Sequence, residues 1–343
     1  MDNYVSIIAA LVSFAVTAAM GIPLIPYLKK LKYGQTILDE GPNWHKSKEG
    51  TPTMGGVMIA GGVVLGLAVS LAVSAVFGGS VTDKIASGFN PIEPVMLFAG
   101  LGFALVCGFI GFIDDYIKVV KKQNLGLTAK QKTVLQLLAS VAYLATLAFA
   151  GLNTTWIPFV GDVDITSGFG LIFWPIALVF IYYMVNAVNL TDGIDGLASS
   201  VTLVVCCAFL LICARVSQEA IGCLAASAAG ACVGFILWNA KPAKVFMGDT
   251  GSMFLGGMVI ALAFGCGKPI LLIPAGIVYI LEALSVVLQV GFYKLTGKRI
   301  FKMSPIHHHF ELSGWSEDKI CLVFSVVTFF GCLLAALSVY LNW

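Results

Sequence analysis

Acidic residues stand where an apolar chain tolerates them poorly. Asp114 and Asp115 close a hydrophobic stretch in Gly111-Phe-Ile-Asp-Asp-Tyr116. A carboxylate at the end of an apolar helix is costly unless it is solvated, paired or bound to a cation. Neighbouring helical residues point about 100° apart, so both reach one ion only if the helix ends there. Otherwise one can bind a metal while the other acts as base or hydrogen-bond partner. The plain alternative is a solvated helix end answered by Lys118, Lys121 and Lys122.

Four further clusters carry polar chemistry. Asn186-Ala-Val-Asn189-Leu-Thr-Asp192-Gly193-Ile194-Asp195-Gly196 packs two Asn, a Thr and two Asp between apolar runs, with no basic residue to answer them. Asp192 and Asp195 share a face if helical, and the glycines allow close backbone approach. A tight turn explains the glycines but not two unpaired acids. The segment from Trp238 to Ser252 holds Asn239, Lys241, Lys244, Phe246 and then Asp249, Thr250 and Ser252. The last three suit a helix N-cap, and a helix N-terminus flanked by lysines suits a phosphate. A capped helix with a basic flank accounts for the same residues.

Ser304-Pro-Ile-His307-His308-His309-Phe-Glu311 is the fourth cluster. Three consecutive histidines cannot all reach one metal from a regular helix or strand. His307 and His309 would share a face in a strand, which allows a zinc site; imidazoles touching phosphate or sugar fit equally well. The fifth is the loop Gly41-Pro-Asn-Trp-His45-Lys46-Ser-Lys48-Glu-Gly50-Thr-Pro-Thr53-Met-Gly55-Gly56, whose cations and hydroxyls are anion-contacting groups or simply a basic anchor. Oxygen ligands without cysteine favour Mg²⁺ or Mn²⁺ over zinc. Such a cation, set among scattered lysines, suits a diphosphate whose leaving charge must be neutralised. Glu282 lies inside an apolar run and must face protein or water or be protonated; structural and functional roles both remain open for it.

The elements that position these residues follow from composition. Of 343 residues, 59% are hydrophobic and 11% charged, against about 25% charged in a soluble domain. The fold expected is an all-α polytopic membrane protein forming a single integral membrane domain over 1–343. A soluble enzyme, a disulfide scaffold and a disordered chain are excluded. Crossing a bilayer takes roughly 20 apolar residues, and ten segments qualify: 4–28, 54–77, 94–113, 131–151, 171–189, 197–215, 219–238, 250–266, 268–293 and 320–341. Pro269 and Pro274 predict a kink in the ninth. The first lacks a preceding basic region and a cleavage site, and reads as a retained span. The nine cysteines fall mostly in apolar runs and read as small buried hydrophobes.

Alternation of the spans places 17 of the 20 Lys and Arg on one side and leaves Lys84, Arg215 and Lys268 on the other. By the positive-inside rule the first side is cytoplasmic and both termini lie outside. All four histidines and 11 of the 18 acidic residues fall on that same side, so the active site is expected at the cytoplasmic face. Ile157, Phe159, Val163 and Ile165, alternating around Gly161-Asp162, predict a small outer β-hairpin near 151–170.

On five ordered motifs the chain resembles the phospho-N-acetylmuramoyl-pentapeptide transferase (MraY) family of the polyprenyl-phosphate N-acetylhexosamine-1-phosphate transferase superfamily. They are GPNWHKSKEGTPTMGG at 41–56, FIDDYIK at 112–118, NAVNLTDGIDGLA at 186–198, FMGDTGS at 246–252 and SPIHHHFE at 304–311. The resemblance implies Mg²⁺-dependent transfer of phospho-MurNAc-pentapeptide from UDP-MurNAc-pentapeptide to undecaprenyl phosphate, giving lipid I and UMP in peptidoglycan synthesis. It implies a multi-pass homodimer in the bacterial cytoplasmic membrane, in contact with membrane lipid and without a nucleic-acid partner. Residue by residue it matches Asp249 to the metal-binding acid, Asp114 and Asp115 to the essential pair with Asp114 as base, and His308, flanked by His307 and His309, to the histidine motif. Asp192, Gly193, Ile194, Asp195, Asn239 and Phe246 match the nucleoside pocket, Phe246 being able to stack on uracil. Lys48, Thr53, Lys130 and Asn189 match further cleft residues. Direct attack by the lipid phosphate and a two-step route through an aspartate are both compatible with these motifs. Two other readings stand beside this one. A relative using UDP-GlcNAc shares the acidic motifs, and an anion transporter shares the span number and Glu282, although its site would lie near the bilayer midplane.

Overall fold

The computed structural model describes residues 3–30, 48, 50–77, 81–82, 92–120 and 125–341. Trp44, His45, Lys46, Lys121 and Lys122 lie outside the described residues, so most of the 41–56 motif upstream of Gly50 has no structural account. Among the described residues ten helices are long and apolar enough to cross a membrane, and with a single two-stranded sheet there they make the chain an all-α polytopic membrane protein. We number the helices α1 (Asn3–Lys30), α2 (Gly56–Val76), α3 (Ile92–Val120), α4 (Ala129–Phe149), α5 (Phe173–Thr191), α6 (Leu197–Arg215), α7 (Glu219–Asn239), α8 (Gly248–Gly265), α9 (Leu272–Ala275), α10 (Ile277–Thr296), α11 (Ile306–Glu311) and α12 (Glu317–Tyr340). Helices α9 and α11 are too short to span.

Burial differs sharply between spans. Every residue of α8 from Thr250 to Gly265 is buried, whereas α4, α10 and α12 keep apolar faces such as Leu138, Val287 and Phe330 exposed. Without water to drive helices together inside a bilayer, small residues and interhelical hydrogen bonds fix their approach. Thus Ser13 of α1 donates to the Ser227 carbonyl of α7 at 2.6 Å, and Trp238 of α7 donates to the Ala18 carbonyl at 3.0 Å. All nine cysteines are free; seven are buried, Cys321 is half-buried, and Cys207 departs from expectation by being exposed on the outer surface of α6.

Three expectations need correction. The third span does not end at Asp115: α3 continues to Val120, because Tyr116-Ile-Lys-Val carries the helix on and Lys118 answers the acids one turn later. The ninth span is broken rather than kinked. Pro269–Leu271 forms a 3₁₀ turn, α9 stops at Ala275, and α10 begins at Ile277 after Gly276, since each proline lacks the N–H needed to continue a helix. The hairpin is present as β1 (Thr154–Ile157) paired antiparallel to β2 (Gly161–Asp164). Its turn is Pro158–Val160, with Gly161 in the second strand, because Phe159 and Gly161 take up the positive φ that closes a three-residue turn.

Candidate active site

Residues Gly100, Ala104, Gly108 and Gly111 recur every three or four positions along α3 and give it a small-residue edge against α8. At Gly111 the space of a side chain is taken by the backbone carbonyl of Asp249. This close seam carries the next turn of α3, with Asp114 and Asp115, onto the first turn of α8. A carboxylate oxygen from each of Asp114, Asp115 and Asp249 lies within 4.8 Å of the others. The neighbouring acids therefore converge although their helix does not end there, because Asp249 sits between their two directions.

Each acid has its own partners. Asp115 accepts from the backbone N–H groups of Asp249 (3.2 Å) and Thr250 (2.9 Å) and from the Thr250 hydroxyl (2.7 Å). It caps α8 from another helix, whereas the α8 N-cap residue, Met247, makes no side-chain cap. The expected self-capping by Asp249, Thr250 and Ser252 is thus replaced. The N–H groups of residues 249 and 250 are occupied and are not offered to a phosphate. Asp114 accepts from Leu127 N–H at 2.7 Å through Oδ1, and its Oδ2 pairs with Lys118 (2.6 Å) and Lys132 (3.2 Å). Asp249 Oδ2 pairs with the same two lysines, at 3.1 and 2.5 Å, while Oδ1 accepts from Asn189 at 3.0 Å. Asn189 also donates to Ser252 Oγ at 2.8 Å. Asp114 and Asp115 are buried, but the Asp249 side chain keeps 19% of its surface exposed.

Lys118 pairs with the acids as the plain reading of the sequence had it, whereas Lys132 had no role assigned from sequence. The i,i+4 spacing of Asp114 and Lys118 was the available signal. Lys132 owes its place to a capping box at the start of α4, where Thr128 and Gln131 bond reciprocally at 3.3 and 2.9 Å. Three carboxylates against two ammonium groups leave the cluster one negative charge over. The donors are all oxygen, and no cysteine or histidine enters the group. That set fits a hard divalent cation.

The Asp192–Asp195 segment divides. The half-buried Asp192 makes no hydrogen bond through its carboxylate to the described residues. Its removal from water, and then the Asp249, Asp115 and Asp195 carboxylates, push its pKa well above the usual range. Asp195 belongs to a second cluster. Lys48 donates to Asp195 Oδ1 at 2.7 Å and to Glu317 Oε2 at 2.6 Å, Ala243 N–H donates to Asp195 Oδ2 at 3.0 Å, and Lys241 lies 3.4 Å from Glu317. Burial alone would lower the Lys48 pKa, but the hydrogen bonds to Asp195 and Glu317 outweigh it and raise the value above 10.5. Glu317, an ordinary acid in the first turn of α12 by sequence, was missed for that reason. Buried Asn239 accepts from Gly196 N–H at 3.0 Å and donates to the Val245 carbonyl at 2.9 Å, holding the 192–196 turn against the approach to α8. Ile194 is buried beneath the same turn.

The 50–56 loop lies along this approach: Phe246 N–H bonds to the Pro52 carbonyl at 2.8 Å and Gly55 N–H to the Phe246 carbonyl at 2.8 Å. Thr53 thereby lies beside Gly248 and Asp115. The Phe246 ring is half-buried and has no aromatic partner among the described residues.

The histidines lie on the short helix α11, not on a strand, so the face that would have joined His307 to His309 does not form. His307 is fully buried, 3.0 Å from Glu282 Oε2, and its ring fills the space a side chain at Gly193 would take. Glu282 thus faces protein, not lipid. His308 bonds Glu311 at 2.6 Å and its ring centroid lies 4.1 Å from that of His307. His309 turns away, accepting from Lys302 N–H at 3.2 Å and packing edge-on to Phe301. Lys130 is exposed on the first turn of α4 and makes no ion pair among the described residues.

Comparison with known proteins identifies the family. Residues 97–266 match the model of glycosyl transferase family 4. Residues 48–59, spanning Lys48 and Thr53, match phospho-N-acetylmuramoyl-pentapeptide-transferase signature 1. The phospho-N-acetylmuramoyl-pentapeptide-transferase of Acetivibrio thermocellus is 43% identical over 334 residues, covering 97% of this chain and 95% of the relative. Those of Halalkalibacterium halodurans and Bacillus subtilis are each 43% identical and cover 100% of this chain and 99% of the relative. With whole-length likeness at this identity, the acids at the α3–α8 seam and the loop threaded beside them are those of a chain that belongs to the phospho-N-acetylmuramoyl-pentapeptide-transferase family.

Proposed function

We propose that the acidic centre transfers phospho-MurNAc-pentapeptide from UDP-MurNAc-pentapeptide to undecaprenyl phosphate, releasing UMP and leaving lipid I. An oxygen of the lipid phosphate forms a bond to the β-phosphorus of the UDP-sugar. The bond from that phosphorus to the bridging oxygen breaks, and UMP leaves with the electron pair. The observation that carries the reading is the meeting of Asp114, Asp115 and Asp249 oxygens within 4.8 Å, beside two lysines, at one end of the spans.

Asp249 would hold Mg²⁺, with Asp114 and Asp115 adjoining; when bound, the ion neutralises charge on the diphosphate. The remaining work belongs to the chain. Asp114 Oδ2 takes or positions the proton of the lipid phosphate. Asp115 acts by positioning, since its oxygens fasten the start of α8 and so aim Asp249. Lys118 and Lys132 offer ammonium groups to phosphate oxygens, and Asn189 fixes the orientation of Asp249. Phe246 supplies a ring face for uracil, with Asp192, Gly193, Ile194, Asp195 and Asn239 shaping that pocket and Lys48 and Thr53 its entrance. His308 contacts phosphate or sugar, with His307 behind it and His309 at the rim. Lys130 meets the substrate from the exposed side. Catalysis of this kind is mainly positioning and charge neutralisation.

The lysine-rich side then faces the cytoplasm of a bacterial cell, where the nucleotide arrives, and the lipid enters from the bilayer. We further infer a homodimer, which mass measurement in detergent tests directly. For the activity, purified full-length protein is given UDP-MurNAc-pentapeptide, undecaprenyl phosphate and Mg²⁺. UMP should appear, stop on chelation and resume on restoring Mg²⁺. Folded protein that releases none, while a known relative turns over in parallel, refutes the reading.

A further inference from the structure

A second site lies at the opposite end of the molecule. Helices α6 and α12 both start at the Lys48 cluster, where Lys48 bridges Asp195 and Glu317, and run away from it to Arg215 and Tyr340. Lys268 follows the far end of α8, and the hairpin follows the far end of α4. These four ends enclose a cavity of about 390 Å³. Trp156, Phe159 and Val160 of the hairpin, Arg215 at the end of α6, Lys268 and Val339 of α12 line it.

The chemistry of the lining is selective. This side of the chain carries three of the twenty Lys and Arg residues, and two of them open into one cavity. Neither Arg215 nor Lys268 makes an ion pair among the described residues. Among the described residues each stacks on an aromatic ring: the Lys268 ammonium lies 3.8 Å from the Trp156 ring centroid and the Arg215 guanidinium 5.9 Å from that of Tyr340. Burial lowers the Lys268 pKa, opposed by Cys266 and by Asp162, which is exposed on the hairpin and does not line the cavity. Lys268 is half-buried and Arg215 exposed, and with no carboxylate lining the cavity the pair presents net positive charge to it, which an anion would meet.

What kind of anion follows from the walls. Leu211 lies one turn before Arg215 on the same face of α6 and is exposed. Phe159 and Val160 expose apolar surface on the rim. The cationic floor therefore sits at the mouth of an apolar strip running back along the spans, at the level where headgroups meet acyl chains. We propose that this cavity binds the phosphate headgroup of an anionic phospholipid of the leaflet opposite the acidic centre, with Arg215 and Lys268 on the phosphate and an acyl chain along Leu211.

The test is native mass spectrometry of delipidated full-length protein in detergent, titrated with phosphatidylglycerol, phosphatidylcholine or inorganic phosphate. Phosphatidylglycerol should bind more tightly than phosphatidylcholine. R215Q and K268Q should each weaken it roughly fivefold, and R215K and K268R should keep it. UMP release stays at the wild-type level in all four variants, so failure here is separable from failure of the transferase reading. Equal binding of phosphatidylglycerol by wild type, R215Q and K268Q overturns the site. Complete displacement of phosphatidylglycerol by excess inorganic phosphate overturns the lipid assignment.

Discussion

Two acid–lysine clusters lie at the same end of this molecule and are built for different ends. At the α3–α8 seam, three carboxylates face two lysines, and Asp249 keeps part of its surface open. At the Lys48 knot, two carboxylates face two lysines, and the acid oxygens are met by Lys48, Lys241 and backbone N–H groups of residues 195 and 243. The first is one positive charge short and exposed; the second is balanced and closed. Carboxylates alone do not mark chemistry. An unfilled charge with an opening beside it does.

The comparison breaks most readily at Asp249. Asp249→Asn should cut UMP release by roughly 10²–10³-fold, as loss of one preorganised charge-stabilising group does elsewhere, with the thermal unfolding midpoint unchanged. A near-wild-type rate would remove the distinction between the clusters. Lys48→Met should cost about 3 kcal/mol of stability by removing the ammonium paired with Asp195 and the nearer of the two paired with Glu317, read as a lowered unfolding midpoint at neutral pH. The Lys48 pKa is raised in the fold, so its contribution is fully present below pH 10.5 and lost as pH rises through the higher folded value. The gap between wild type and variant should therefore close only in strong alkali; a gap that persists there assigns the loss to packing instead. The smallest effect is expected at Lys130→Ala, within about twofold on turnover and stability. A large rise in KM there would show that the exposed rim contributes to binding as much as the seam does.

Much of this was legible in the chain. Apolar run lengths gave the ten spans, and alternation in 154–164 gave the hairpin, because both are local patterns with a fixed period. The convergence of Asp114 with Asp115 and Asp249 was expected from the family resemblance and was not legible in any local pattern. It depends on α3 running past the acids and on a small-residue edge meeting α8 far along the sequence. Nor did Glu317 stand out, since an acid in the first turn of a helix with Ser316 as its cap is ordinary. His307 could not be told from His309 until α11 proved helical and turned one ring onto Glu282 and the other onto Phe301.

The near-total burial of α8 has a mechanical consequence. Changes in membrane thickness or fluidity act first on helices that touch lipid, and α8 touches it least among the described spans. Its first turn carries Asp249, and its flank is clasped by α3. Peripheral helices can tilt and slide with the bilayer while the spacing between Asp249 and the α3 acids is kept, so the proposed acidic centre is buffered from the medium around it, and Lys132 on α4 is the member that feels it most.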